Sequence, residues 1–344
     1  MKVSREQLIA DLKAVQPGLA KKEFVEQSTC FVFLDGFVGT YNEQIRMMKE
    51  TILKGVTGAV PSSPLYNLLT KMKEDEVEIE VKDNVLSVSG KNKKAELPLD
   101  PEIKLPIQDM DEEVYKDEGW TELDSTFCDV VRTCAFSASR SVQTPLVTCI
   151  HITDSFIEST DNFRCTRIDF PFNGDDTNLL IPVGVMEDVI KYLPTSFKIG
   201  KNWLHFNNVD GVIFSCRLFV ADEAGYPSLD KVLQLKGAQL KLPETLPEIL
   251  DRVGVFITVK NVLDKFATIE LKKGNMIVSA KGEGGKFNEK TRVRFDGKDF
   301  QFVVNVEFLA DVFKLNPVAI VGENRMLFSS EGFKHVLSIA QVKV

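Results

Sequence analysis

The chain has 344 residues, 44% hydrophobic and 27% charged, with 42 basic against 50 acidic side chains and a formal net charge of −8. Single domains most often run to about 100–150 residues, so two or three domains with their own cores are expected, and the composition excludes wholesale disorder. The acidic balance argues against a protein that coats nucleic acid by bulk attraction, although a local basic surface is compatible with it.

The opening MKVSREQLIADLK turns amphipathic at once and lacks the apolar core of a signal peptide. Ser4 and Gln7 are spaced as a capping box ahead of Leu8, Ile9 and Leu12, which predicts a helix. A second helix is predicted in VPSSPLYNLLTKM from Val60, with Leu65, Leu68 and Leu69 on one face. The alternating VEIEVKDNVLSVSG (77–90) then reads as strand, polar turn, strand, and the charged DMDEEVYKDEG (109–119) as a junction.

Past that junction the series begins again. Thr126 and Asp129 form a second capping-box spacing before Val130, Val131 and Cys134. IPVGVMEDVIKYL from Ile181 carries Met186, Val189 and Ile190, and FKIGKNWLHFNN (197–208) alternates. After a Pro-containing junction, LKGAQLKLPETLP, Thr245 and Glu248 precede Ile249, Leu250 and Val253. VNVEFLADVFKLN (304–316) carries Leu309, Val312 and Phe313, and VAIVGENRMLFSS (318–330) closes the series. Both helical landmarks recur at intervals of roughly 120 residues, so the expected organisation is three α+β domains, 1–116, 117–237 and 238–344, each ordered helix, strands, helix, strands.

Catalytic constellations are scarce. The six cysteines, at 30, 128, 134, 149, 165 and 216, form no CxxC pair and read as reduced core thiols. His151, His205 and His335 lack metal-ligand spacing. GEGGKF (282–287) lacks the ending and context of a phosphate loop and reads as a hairpin tip, and no GxSxG nucleophile motif occurs. Asp175 and Asp176 in FNGDDTN could hold a divalent cation, but a turn is the simpler reading. The longest apolar run, VGVFITV near residue 255, is far short of the ~20 residues that span a bilayer, so a cytoplasmic protein is expected.

Three stretches resemble one family in their order and spacing. ESTDNFRCTRIDFP (158–171), FSCRLFVADEAGYPSLDKVL (214–233) and FVVNVEFLADVF (302–313) are similar to the T-D-G-H-R-L-A, F-T-S-[KR]-L…F-P-D-Y-R-R-V-L and F-N-V-x-Y-[LV]-x-D-V motifs of the bacterial sliding clamp, the beta subunit of DNA polymerase III. The resemblance covers nearly the whole chain, and its low identity suggests a divergent member of the kind a bacterial virus encodes. It implies three tandem clamp domains per chain and a ring-shaped homodimer closed head to tail, with helices lining the hole and sheets outside.

Further expectations follow from the resemblance. A groove for short peptides of polymerases, the clamp loader and repair proteins would be formed by Thr160, Asn162, Phe163, Arg164 and Cys165, by Pro227, Lys231 and Val232, by Asn305, Val306 and Phe308, and by Ala340, Gln341 and Val342. Phe163 replaces the family's usual His, Cys165 replaces a Leu, and the end reads AQVKV rather than M-P-M-R-[LM], which leaves partner preference open. Double-stranded DNA would be met by Lys71, Lys191 and Lys314 near the ends of second helices, where cations also complement the helix dipole. Arg5, Lys13, Arg132, Arg140 and Arg252, on or just after first helices, are further candidates, and a solvated face explains each equally well. Dimer closure would pair the region of Leu105 and Pro106 with that of Phe256 and Ile257. No cofactor is implied. Two readings of other classes stand beside this one: a repeat-built scaffold that does not encircle DNA, and a phosphoryl-transfer enzyme using Asp175 and Asp176.

Overall fold

The computed structural model describes residues 1–107, 114, 119–141, 143–172, 177–222 and 225–341. Val342, Asp175 and Asp176 lie outside the described residues.

Three series of elements follow one another in the same order. The first comprises β1 (Lys2–Ser4), α1 (Arg5–Ala14), β2 (Cys30–Leu34), β3 (Phe37–Tyr41), β4 (Ile45–Glu50), β5 (Gly58–Pro61), α2 (Ser62–Lys71), β6 (Glu76–Lys82), β7 (Val85–Gly90) and β8 (Lys93–Pro98). The second comprises β9 (Thr121–Glu122), α3 (Phe127–Ala135), β10 (Cys149–Thr153), β11 (Phe156–Thr160), β12 (Arg164–Asp169), β13 (Asn178–Pro182), α4 (Val183–Val189), β14 (Ser196–Ile199), β15 (Trp203–Asn207) and β16 (Val212–Arg217). The third comprises β17 (Ala238–Lys241), α5 (Leu246–Gly254), β18 (Phe266–Lys272), β19 (Asn275–Gly282), β20 (Gly285–Arg292), β21 (Arg294–Phe295), β22 (Phe300–Asn305), α6 (Val306–Phe313), β23 (Val318–Val321), β24 (Arg325–Ser330), β25 (Phe333–Ser338) and β26 (Ala340–Gln341). Among the described residues no helix is long and apolar enough to cross a membrane.

Local chemistry explains where these helices begin. Ser4 caps α1, its hydroxyl accepting from the Gln7 amide at 3.3 Å and so satisfying one of the donors left free in a first turn. The other two expected capping hydroxyls act differently. Thr126 Oγ1 donates to Asp124 Oδ1 at 2.6 Å, and Thr245, whose backbone (φ −80°, ψ 3°) is not in the extended conformation of an N-cap, makes no side-chain cap. The second helices also start later than their apolar stripes suggest. Val60, Ile181 and Val304 belong to the preceding strands β5, β13 and β22, and α6 is capped by Asn305, whose Oδ1 accepts from the amides of Glu307 and Phe308 at 3.1 and 3.2 Å. Leu65, Leu69, Met186, Val189, Ile190, Leu309 and Val312 are buried as the helical spacing predicts, while Leu68 and Phe313 are half-buried.

The chain forms two compact units, Met1–Cys128 with Gly184–Phe219, and Asp129–Val183 with Val220–Val344. Among the described residues every strand pair is antiparallel. The first unit holds a four-stranded sheet, β1-β6-β7-β8, and an eight-stranded one, β5-β2-β3-β4-β16-β15-β14-β9. The second holds a nine-stranded sheet, β13-β10-β11-β12-β25-β24-β23-β17-β21, and a five-stranded one, β20-β19-β18-β22-β26. Each large sheet is a joint between series: β4 pairs with β16 in the first unit, and β12 with β25 in the second.

A segment of chain crosses each joint. In the first unit Leu105 and Ile107 pack with Val32, Tyr41, Met48 and Ala59, with Trp203 and Ile213 alongside. In the second, Leu229 and Leu233 pack with Cys165, Leu327 and Val336. The next residues along those strands, Met326, Phe328 and Leu337, enter a separate core with Ile249, Leu250 and Val253 of α5 and with Leu309 and Val312 of α6, so the strap and the helices occupy opposite faces of one sheet.

The β12–β25 joint also buries a polar row. Thr166 faces His335 across the ladder, with Oγ1 and Nδ1 2.9 Å apart, and Ser137 Oγ lies 2.6 Å from Thr166 Oγ1. Burial pushes the His335 imidazole down to about 3, and burial also lowers His205 of β15 to about 3. Below about pH 6.5 the unfolded chain takes up protons that these buried rings refuse, so their contribution is complete above that pH and is lost progressively toward pH 3. The melting temperature should therefore fall on acidification below about pH 6.5. In His335→Gln the fall should be shallower, and an identical profile for that variant would contradict this assignment.

Candidate functional site: a groove beside the β11–β12 turn

The turn between β11 and β12 is built by one carboxylate. Asp161 Oδ1 accepts the amides of Phe163 and Arg164, both at 2.9 Å, while Oδ2 accepts from Arg164 Nε at 3.0 Å. Asn162 takes the left-handed conformation (φ 71°) that a tight turn needs and Asn tolerates. Burial pushes the Asp161 carboxyl above its ordinary range, opposed by Arg164 and the two amides. The same guanidinium lies 3.8 Å from the Phe308 ring centroid and reaches Asp311 Oδ2 at 3.3 Å, tying the turn to α6. Phe163 is left 47% exposed, with its carbonyl accepting the Ser338 amide at 2.9 Å.

Beside this turn lies a cavity of roughly 190 Å³. It is lined by Thr160, Asn162, Phe163, Arg164, Cys165, Pro227 and Val232, all expected from the sequence, and by Ser228, Leu229, Val336 and Ser338, which were not. Leu229 had a local signal, since one helical turn brings it together with Val232 and Leu233, whose amides both donate to its carbonyl at 2.9 Å. Val336 and Ser338 had none, because only the β12–β25 register sets Val336 opposite Cys165. Of the other expected residues, Lys231 is exposed, Asn305 caps α6, Val306 and Phe308 are buried on that helix, and Ala340 and Gln341 form the edge strand β26. None of these six lines the cavity, although Phe308 supports Arg164 from behind. Burial pushes the Cys165 thiol up to about 12, which makes it part of an apolar floor and not a nucleophile.

The far wall is held by an ion-pair chain on the Cys165 face of β12. Arg167 Nε donates to Glu158 Oε2 at 2.8 Å, its Nη1 donates to Asp230 Oδ1 at 2.7 Å, and its guanidinium stacks 3.9 Å above Phe156. Glu158, almost fully buried, also meets His151 Nδ1 at 2.8 Å, and Tyr226 packs on that imidazole with ring centroids 4.7 Å apart. Tyr226 and Asp230 bracket the segment that supplies Pro227, Ser228 and Leu229, so this chain of contacts fixes where the wall stands.

The cations expected on the helices are dispersed. Arg5 donates to the carbonyls of Glu74 and Leu69 at 2.7 and 3.2 Å, satisfying the end of α2. Arg132 pairs with Asp129, Lys191 with Asp188 at 2.7 Å, Lys314 with Asp311 at 3.8 Å, and Arg252 binds both oxygens of Glu289. Arg140 is exposed, and Lys13 and Lys71 are exposed with no ion pair among the described residues. Leu105 is buried, the Pro106 carbonyl accepts from Arg46 at 3.0 Å, and Phe256 stacks on Phe287 of β20 at 5.3 Å with Ile257 beside it. Among the described residues no cluster of His, Cys, Asp or Glu could hold a metal ion.

If Arg167 latches the wall through Asp230, then Asp230→Ala should speed hydrogen exchange at the amides of 229–233 severalfold while β12 exchanges as before. Asp230→Glu should restore protection, and equal exchange in all three proteins would show that the ion pair holds nothing.

The sequence matches no family model and no curated protein. Its structure is similar to solved structures over the full length. The DNA polymerase III subunit beta from Pseudomonas aeruginosa superposes with a TM-score of 0.81 at 15% identity, covering 99% of this chain and 100% of that one. The corresponding subunit from Thermotoga maritima gives 0.77 at 15%, and the beta subunit from DNA polymerase of Streptococcus pyogenes 0.81 at 14%, each covering 99% of both chains. From end to end, the chain has the sliding-clamp fold of DNA polymerase III beta subunits.

Proposed function

We propose that this chain is a DNA sliding clamp, a non-catalytic processivity factor that encircles duplex DNA in the cytoplasm and tethers a replicative polymerase to it. The observation that carries this reading is the clamp fold together with two sheet edges left over from its own pattern of joints. Inside each unit a joint pairs β4 or β12 with β16 or β25. The strands of corresponding place in the remaining series are β20 and β8, and among the described residues each is bonded on one side alone, to β19 and β7. Pairing β20 of one copy with β8 of another, twice over, would close a head-to-tail homodimer of three-domain chains (1–116, 117–237, 238–344) with the joint already used internally. Phe256 and Ile257 would flank that contact, whereas Leu105 and Pro106 lie on the strap over the internal β4–β16 joint and are not part of the proposed β8 edge.

Such a closed dimer would hold DNA by topology and so needs only weak contact with it. Lys13 and Lys71 are free to meet phosphates, and Arg132, Arg140, Lys191, Arg252 and Lys314 could join them by exchanging protein partners. Few and exchangeable cations suit sliding, because each phosphate neutralised adds counterion-release affinity and would slow movement. The cavity lined by Phe163, Arg164, Leu229 and Val232 fits a short peptide with hydrophobic anchors, from a polymerase or from the loader that opens the ring. ATP hydrolysis would belong to that loader.

The chain should sediment as a dimer and, once loaded, stay on a nicked circular duplex and leave it when the circle is cut. Equal loss from circle and linear DNA would favour a scaffold that does not encircle. Phe163→Ala combined with Arg164→Ala should abolish stimulation of primer extension by the polymerase that works with the clamp, while dimer and retention persist; undiminished stimulation would remove the groove assignment.

A further inference from the structure

The chain has a net charge of −8, yet one face of its five-stranded sheet is strongly basic. Burial alternates along β18, β19 and β20: Ala267, Ile269, Leu271, Met276 and Val278 enter the core, and the intervening side chains face outward. Outward stand Lys272 on β18, Lys281 on β19, and Lys286, Lys290 and Arg292 on β20. The one carboxylate among them, Glu270, lies 3.6 Å from Lys272. Lys281, Lys286, Lys290 and Arg292 form no ion pair among the described residues.

Solubility alone does not require this arrangement. The register sets Lys281 directly opposite Lys286, and like charges facing each other across an antiparallel pair destabilise a sheet. The outward face of the four-stranded sheet is an internal control. There Lys2, Lys82 and Lys94 are interspersed with Glu76, Glu78, Glu80 and Glu96, and Lys94 pairs with Glu96 at 2.7 Å.

We propose that the outward face of β18–β20 binds the sugar-phosphate backbone of nucleic acid, as a contact separate from encirclement. The choice of nucleic acid rests on the reading that the chain works on DNA. On the outward face of β20 the order is Lys286, Asn288, Lys290, Arg292, with neighbours about 6.6 Å apart, a pitch on the scale of successive phosphates along an extended strand that Lys290 and Arg292 match directly. Asn275, Ser279 and Asn288 stand between the cations and offer neutral hydrogen bonds to phosphate or sugar. The outward residues of β19 and β20 include no aromatic ring and β18 offers Phe266 alone, at its first position, so binding follows charge more than base stacking.

The test is fluorescence anisotropy of a labelled oligothymidylate, and of a duplex of equal length, titrated with the full chain over a range of salt. Lys272→Ser combined with Lys281→Ser changes two cations that lie off the edge strand. It should weaken binding roughly tenfold and flatten the salt slope by about 1.4 for the single strand, whereas Lys→Arg at both positions should preserve the slope. No binding by the unaltered chain at low salt, or an unchanged slope in the Ser variant, would overturn the proposal. Displacement of the oligonucleotide by polyglutamate at a lower concentration of charge than unlabelled oligonucleotide requires would also overturn it, by assigning the face to an acidic protein. The ring reading fails separately: the chain would then leave nicked circles as readily as linear DNA while still binding the oligonucleotide.

Discussion

A strand at the edge of a sheet exposes amides and carbonyls that need partners, and this chain is organised around how its edges are paired. Two edges are met internally, β4 by β16 and β12 by β25, and at both places an apolar segment of chain is laid over the joint. Backbone hydrogen bonding fixes which residues face each other, and the strap then buries the apolar row so created. The proposed groove is a by-product of the second joint: Cys165 and Val336 form a floor because their strands pair, and Leu229 and Val232 form a wall because the strap crosses there.

Two arginines on β12 divide the work of holding that groove. Arg164 ties the turn to α6 through Phe308 and Asp311, and Arg167 ties the strap to β11 through Asp230 and Glu158. They lie on opposite faces of the strand because they are three residues apart, an odd number on a period of two. Both guanidiniums rest on aromatic rings as well as carboxylates, which restricts their rotamers and leaves the wall and turn rigid relative to the floor. A preformed site of this kind spends little of a peptide's binding energy on ordering the protein.

What the sequence revealed was mostly local and periodic. The stripes around Leu8, Leu65, Ile249 and Leu309 identify helices because burial on one face recurs every three or four residues, and Asp83 and Asn84, both at positive φ, mark the hairpin of β6 and β7. Capping was less legible. Ser4 acts as its spacing suggests, but Thr245 does not, since the spacing says nothing of the backbone conformation, extended at Ser4 and not at Thr245. The Asp161 turn could be found by resemblance, whereas Val336, Ser338 and the Arg167–Asp230 pair could not. Thr166 and His335 are 169 residues apart in the chain, and no composition or period announces which distant strands will pair. The basic face of β20 is an intermediate case: its three cations are visible in KFNEKTR, but their summation with Lys281 and Lys272 needs the register.

Head-to-tail closure depends on the edges of β8 and β20 becoming interior strands. Amide hydrogen exchange, followed over a dilution series alongside sedimentation, reads this directly. Closure predicts that outward-pointing amides of both strands are protected in the dimer and lose that protection together on dilution. Rapid exchange along β8 and β20 in a sample that sediments wholly as dimer would mean that the copies meet elsewhere, and the ring would have to be abandoned.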